Sequence, residues 1–76
     1  MDFYVVADED TVVGFRYVGI EGVIVRTHAE AAREFDRLAE SEAERIVITT
    51  EQVADMARQK VNAIRFKAAL PVIVEI

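Results

Sequence analysis

The sequence predicts an α/β fold: a small parallel four-stranded sheet with alternating helices, Rossmann-like or receiver-like, in strand order 2-1-3-4. Three observations carry this expectation. Four short runs, "DFYVVAD", "VIVRT", "RIVITT" and "LPVIVEI", are rich in β-branched and aromatic residues and continuously apolar rather than alternating, the pattern of strands in a parallel sheet covered on both faces. The segments between them carry helix-start signals and apolar residues at steps of three and four. The connections are short, as crossover winding requires, and right-handed crossovers place the first strand centrally.

The first strand ends at the acids Asp8, Glu9 and Asp10. A first helix takes Asp8 or Asp10 as its cap and stops near Gly19, a left-handed terminator. After "VIVRT", Thr27-His28-Ala29-Glu30 has the form T-x-x-E, in which the Thr hydroxyl caps the amide of the Glu and the Glu reaches back. The helix it opens sets Ala31, Ala32, Phe35, Leu38 and Ala39 on one face and Arg33, Glu34, Asp36, Arg37 and Glu40 on the other. Thr49-Thr50-Glu51-Gln52 repeats the signal as T-x-x-Q and opens a third helix through Val53, Met56, Ala57, Val61 and Ile64. Pro71 sits near the start of the last strand, where a missing ladder donor matters least. With no repeat or linker, Met1 to Ile76 reads as a single α/β domain.

A chain of 76 residues builds a small core, and zero Cys excludes disulfides as its reinforcement while fitting a reducing, cytoplasmic compartment. No apolar run approaches the ~20 residues that span a bilayer, and no charged-then-apolar leader opens the chain, so a soluble protein is expected. The net charge of −5 argues against nucleic acid as a partner. The charge is uneven: 13 acids and 5 bases up to Asp55 are followed by 4 bases and 1 acid. That basic island (Arg58, Lys60, Arg65, Lys67) is either a solvated helix face or a docking surface for an acidic partner.

In a parallel sheet ligands bind at the carboxyl edge, which here collects Asp8 to Thr11, Thr27 and His28, and Thr49 to Glu51. Asp8 and Asp10 have the hard oxygens that Mg²⁺ prefers, as in a phospho-receiver, but Thr49-Thr50-Glu51 stands where that chemistry needs an acceptor Asp. A dinucleotide site needs glycines where "ADEDTV" has acids. Nucleophilic catalysis has only Ser41 and a single His, His28, to work with, and His28 falls in a helix's first turn. Capping of the first helix by Asp8 and Asp10 accounts for the acids best. It leaves Gly14 unexplained, because a mid-helix glycine costs about 1 kcal/mol relative to Ala; close approach of another backbone would account for it.

The block "VVADEDTVVGFRYVGIEGVIV" resembles the opening of the F subunit of V-type and archaeal A-type rotary ATPases, a first strand running into Asp-x-Asp-Thr, then Gly-Phe-Arg and a further Gly. Asp8, Asp10, Thr11, Gly14, Phe15, Arg16 and Gly19 are in place. "IVITTE", Ile46 to Glu51, and "LPVIVEI", Leu70 to Ile76, are similar to the family's third and last strands, so the resemblance runs the length of the chain. Family members commonly continue past the last strand into a mobile helical tail, and the chain stops at Ile76; the expectation is a truncated form, a shortened member or a relative with another role.

The resemblance implies a non-catalytic subunit of the central rotor stalk without a cofactor or metal, bound beside the coiled coil of the D subunit. ATP is handled on the A and B subunits, and protons or sodium move in the membrane sector. The chain would associate with the membrane only peripherally, through the complex. Thr11, Phe15, Arg16, Thr49 and Thr50 are the expected partner contacts, with the basic island as a second candidate. Two other readings compete: a receiver-like Mg²⁺ or ligand-binding signalling domain with Asp8 and Asp10 as ligands, and an α/β domain that self-associates through the open strand-4 edge.

Overall fold

A computed structural model describes residues 2–41, 44–67 and 70–76 of the chain; Met1, where the sequence reading starts the domain, lies outside them. The elements are β1 (Asp2–Ala7), α1 (Glu9–Arg16), β2 (Gly22–Ile24), α2 (His28–Ser41), β3 (Arg45–Thr49), α3 (Glu51–Met56), α4 (Arg58–Lys67) and β4 (Val72–Glu75). The sheet is four-stranded and entirely parallel in the order β2-β1-β3-β4, the expected winding.

Local chemistry sets the boundaries. Asp8 caps α1, and Gly19, at φ 85°, closes it: the Gly19 amide donates to the Arg16 carbonyl and the Ile20 amide to that of Phe15. β2 is shorter than "VIVRT" because the amides of Arg26 and Thr27 donate to the Glu30 carboxylate, at 2.9 and 3.1 Å, and are lost to the ladder. β4 begins only after Pro71, whose nitrogen has no hydrogen to give. Gly22 is the glycine that a close approach demands: a Cβ there would lie 2.6 Å from the Val5 carbonyl oxygen. At Gly14 a Cβ would meet nothing within 4 Å, so no neighbour among the described residues explains that glycine.

The third helix is two. Ala57, at φ −142° and ψ 45°, breaks it into α3 and α4, both of which lie against α2. No Gly or Pro marks this bend, and the apolar spacing runs straight through it.

Cover is unequal, contrary to the expectation of two covered faces. On one side Val6, Val47 and Ile73 of the sheet pack with Phe35 and Leu38 of α2, Val53 and Ala54 of α3, and Val61 and Ile64 of α4. On the other side α1 alone stands over β1 and β2, where Val12 meets Val5 and Ala7, with Phe15, Ile20, Ile24 and Ile48 packed around them. The β3 and β4 half of that side has no helix over it among the described residues.

Candidate functional site

The carboxyl edge gathers the expected residues but spends most of them locally. Asp8 Oδ1 accepts the Thr11 hydroxyl at 2.8 Å and Oδ2 accepts the Thr11 amide at 3.3 Å. The hydroxyl is the main reason the Asp8 carboxyl lies below its ordinary pKa. Glu9 holds Arg26 at 3.1 Å, tying the start of α1 to the end of β2. The Thr27 hydroxyl accepts the Glu30 amide at 3.1 Å, completing the predicted box, and the Glu30 carboxyl is held low first by the Arg26 amide and then by that of Thr27. His28 is exposed at the first residue of α2, while Ser41, at the far end of the same helix, donates its hydroxyl to the Leu38 carbonyl. Among the described residues no three acidic, His or Cys side chains cluster as a metal site would require.

The expected contact residues separate. Thr11 and Phe15 are half-buried on one flank of α1, and Arg16 is exposed on the other, because about 100° per residue puts 11 and 15 on one side and 9, 13 and 16 on the opposite one. The Glu9 to Arg26 bridge identifies the second flank as the β2 side, so Thr11 and Phe15 face β3. Thr50, half-buried, is the cap of α3: its hydroxyl accepts the Val53 amide at 3.1 Å. Thr49, expected both as that cap and as a contact, is neither. It is the last residue of β3, fully buried, and its hydroxyl donates to the Val6 carbonyl at 2.6 Å, so the side chain is enclosed beneath the surface.

The basic island is largely neutralised. Arg58 donates to Glu75 at 2.7 and 2.9 Å and to Asp55 at 2.6 and 3.0 Å, Arg65 to Glu75 at 2.8 Å, and Lys60 to Asp36 at 2.8 Å. Arg58 first, and then Arg65, pull the Glu75 carboxyl down to about 2. Arg65 also donates to the Ile73 carbonyl at 2.9 Å, occupying an acceptor on the edge strand β4. On the other side of the same layer Arg45 stacks 4.9 Å over the Tyr4 ring, and Arg37 donates to the Tyr4 hydroxyl at 3.1 Å.

Sequence reasoning missed the residues that remain open. Phe3 is 50 % exposed, Val72 40 %, Val74 42 % and Ile76 62 %, all on the α1 side of the sheet. Their apolar character was visible; their exposure was not, because it depends on how many helices lie over that side.

Fold and site define a minimal parallel α/β domain, with Asp8 and Thr50 capping helices, Glu75 gathering two arginines, and an exposed apolar strip on the α1 side of its sheet. The family model for the ATP synthase (F/14-kDa) subunit matches residues 3–76. The chain is similar to proteins named as F subunits of A-type ATP synthases: 40 % identical over 73 residues to that of Methanothermobacter thermautotrophicus, covering 95 % of this chain and 68 % of the relative. It is 37 % identical over 76 residues to that of Methanosphaera stadtmanae, covering 99 % and 71 %, and 34 % over 62 residues to that of Methanococcus maripaludis, covering 80 % and 63 %. The chain belongs to the family of ATP synthase F subunits.

Proposed function

We propose that the chain works as a non-catalytic F subunit of an A-type or V-type rotary ATPase, one part of a multi-subunit complex. In this reading it sits in the central stalk against the coiled coil of the D subunit and turns with it, helping to couple ATP hydrolysis or synthesis on the A and B subunits to proton or sodium movement in the membrane sector. The observation that carries the reading is the match along residues 3–76 to a family whose named relatives are F subunits of ATP synthases. The geometry fits a rigid binding module: at the carboxyl edge Asp8 caps α1 and Glu9 holds Arg26, and two of the four bases in the island converge on Glu75. No helix among the described residues is long and apolar enough to cross a membrane, which suits peripheral attachment through the complex on the cytoplasmic side.

Contacts belong to Thr11, Phe15, Arg16 and Thr50; Thr49, the fifth residue expected there, is buried with its hydroxyl on the Val6 carbonyl. Calorimetric titration of this chain with the purified D subunit of the same organism tests the reading. One-to-one association that Phe15→Ala weakens about tenfold or more is the expected result. Complete absence of association overturns the assignment to the rotor.

A further inference from the structure

We propose that the uncovered half of the sheet's α1 side is the seat of a single partner helix, amphipathic and carrying Lys or Arg at the end beside Asp8, Asp10 and Glu51. The inference rests on the rotor-stalk reading for the owner of that helix, and on geometry for the seat.

Register defines the floor. Phe3, Ile46 and Val72 lie in one row, Ile48 and Val74 continue in the next beside Val5, and Ile76 follows Val74 by alternation. Half-exposed apolar side chains in unbroken rows are unusual on a surface that is to stay in water. At about 3.3 Å per strand residue and about 4.8 Å between strands, the strip is roughly 16 Å long and 10 Å wide. One helix of about three turns has these dimensions.

The wall is α1, with Thr11 and Phe15 on the flank nearer the strip. A helix over the strip would lie alongside α1 on this flank; Gly14 lies further round, on the outward face of α1, with open space where a side chain would be. The opposite side of the sheet shows the same arrangement completed, with α2 and α4 side by side over the core.

Charge selects among occupants. Asp8, Asp10 and Glu51 are exposed on the carboxyl edge that ends the strip, and Arg26 at this edge is held by Glu9. A helix with basic residues at that end is attracted. A second copy of this chain fits poorly: the outward face of α1 carries Asp10, Gly14 and Tyr17, and laying it on Val72 and Val74 would bury a carboxylate against apolar side chains. Strand addition at β4 is opposed by Arg65, which already occupies the Ile73 carbonyl.

Isotope-labelled chain is titrated in two arms, with a synthetic Leu/Lys amphipathic peptide of about four turns and with the purified D subunit, while amide shifts are followed. Both arms should perturb Thr11, Phe15, Val72 and Val74. Val74→Asp should weaken both about tenfold or more, and Val72→Lys, on the same exposed strand face, should weaken both while leaving the fold of the free domain intact. Binding of the D subunit that maps elsewhere, or that both variants leave unchanged, overturns the seat and leaves the rotor reading standing. Peptide binding in the groove without any binding of the D subunit keeps the seat and sinks the rotor reading. Peptide shifts confined to the cleft lined by Phe35, Ala63 and Ile64 between α2 and α4, or a dimer that Val74→Asp dissociates, overturn the proposed occupant.

Discussion

Glu75 shows how much one side chain organises. Its carboxylate accepts three hydrogen bonds from two guanidinium groups, joining the end of β4 to both ends of α4. Because its folded pKa of about 2 lies below the ordinary 4.5, ionised Glu75 favours the folded state. That contribution is fully present above pH 4.5 and is lost as pH falls through 2. Replacing Glu75 by Gln should lower the melting temperature at pH 7, and the gap from wild type should shrink steadily on acidification and close near pH 2. Asp8 and Glu30 are also held low, so both proteins lose stability in acid, and the difference between the two curves isolates Glu75. Circular dichroism melts across that range check this; a gap that stays constant would mean the charge at Glu75 contributes nothing to folding. The same concentration of bonds makes the basic island an internal brace.

At the scale of elements, α2 is the longest helix, His28–Ser41, and its start is fixed by the reciprocal pair Thr27 and Glu30. Thr27→Ala leaves the Glu30 amide without its side-chain acceptor and should cost about 1 kcal/mol, or about 4–8 °C in melting temperature for a domain of this size. Thr27→Ser should retain most of it, and a loss equal to that of Ala would refute the cap's role. Features of this kind were legible in the sequence because they are local: the Thr27 box, the Asp8 cap and the Gly19 terminator involve residues three or four apart. Where neighbours offer the same chemistry, local reading slips. Thr49 and Thr50 both carry a capping hydroxyl, and the choice falls to Thr50 because β3 is still paired with β1 and β4 at Thr49. The bend at Ala57 left no mark, since no residue there forbids a helix. The candidate site divides similarly. The place of Thr11 and Phe15 on α1 was legible, whereas the open strip was not, because a strand reads as continuously apolar whether or not a helix of its own chain lies over it.

For the whole molecule, the two layers around the sheet are unequal. The α2, α3 and α4 side holds Phe35 and Leu38 fully enclosed, while the α1 side closes only over Val5, Ala7 and Val12. A domain this small has a net stability of only about 3–5 kcal/mol without a staple, and removing a buried Phe costs about 3–5 kcal/mol. Phe35→Ala should therefore abolish the cooperative melt of the isolated chain, while Val12→Ala, which deletes far less buried surface on the smaller side, should melt cooperatively at a lower temperature. Association adds to this balance, because a ligand that binds only the folded state at 100 times its dissociation constant stabilises it by about 2.7 kcal/mol. If the rotor's D subunit is that ligand, Phe35→Ala should recover native circular dichroism when it is in excess, since the seat lies across the sheet from the cavity. Calorimetric scans of both variants, with and without the D subunit, measure this directly. A Phe35→Ala chain that melts within a few degrees of wild type would place the stability of the domain outside the core described. One that stays unfolded at saturating partner would mean that association adds less than the lost side chain removes.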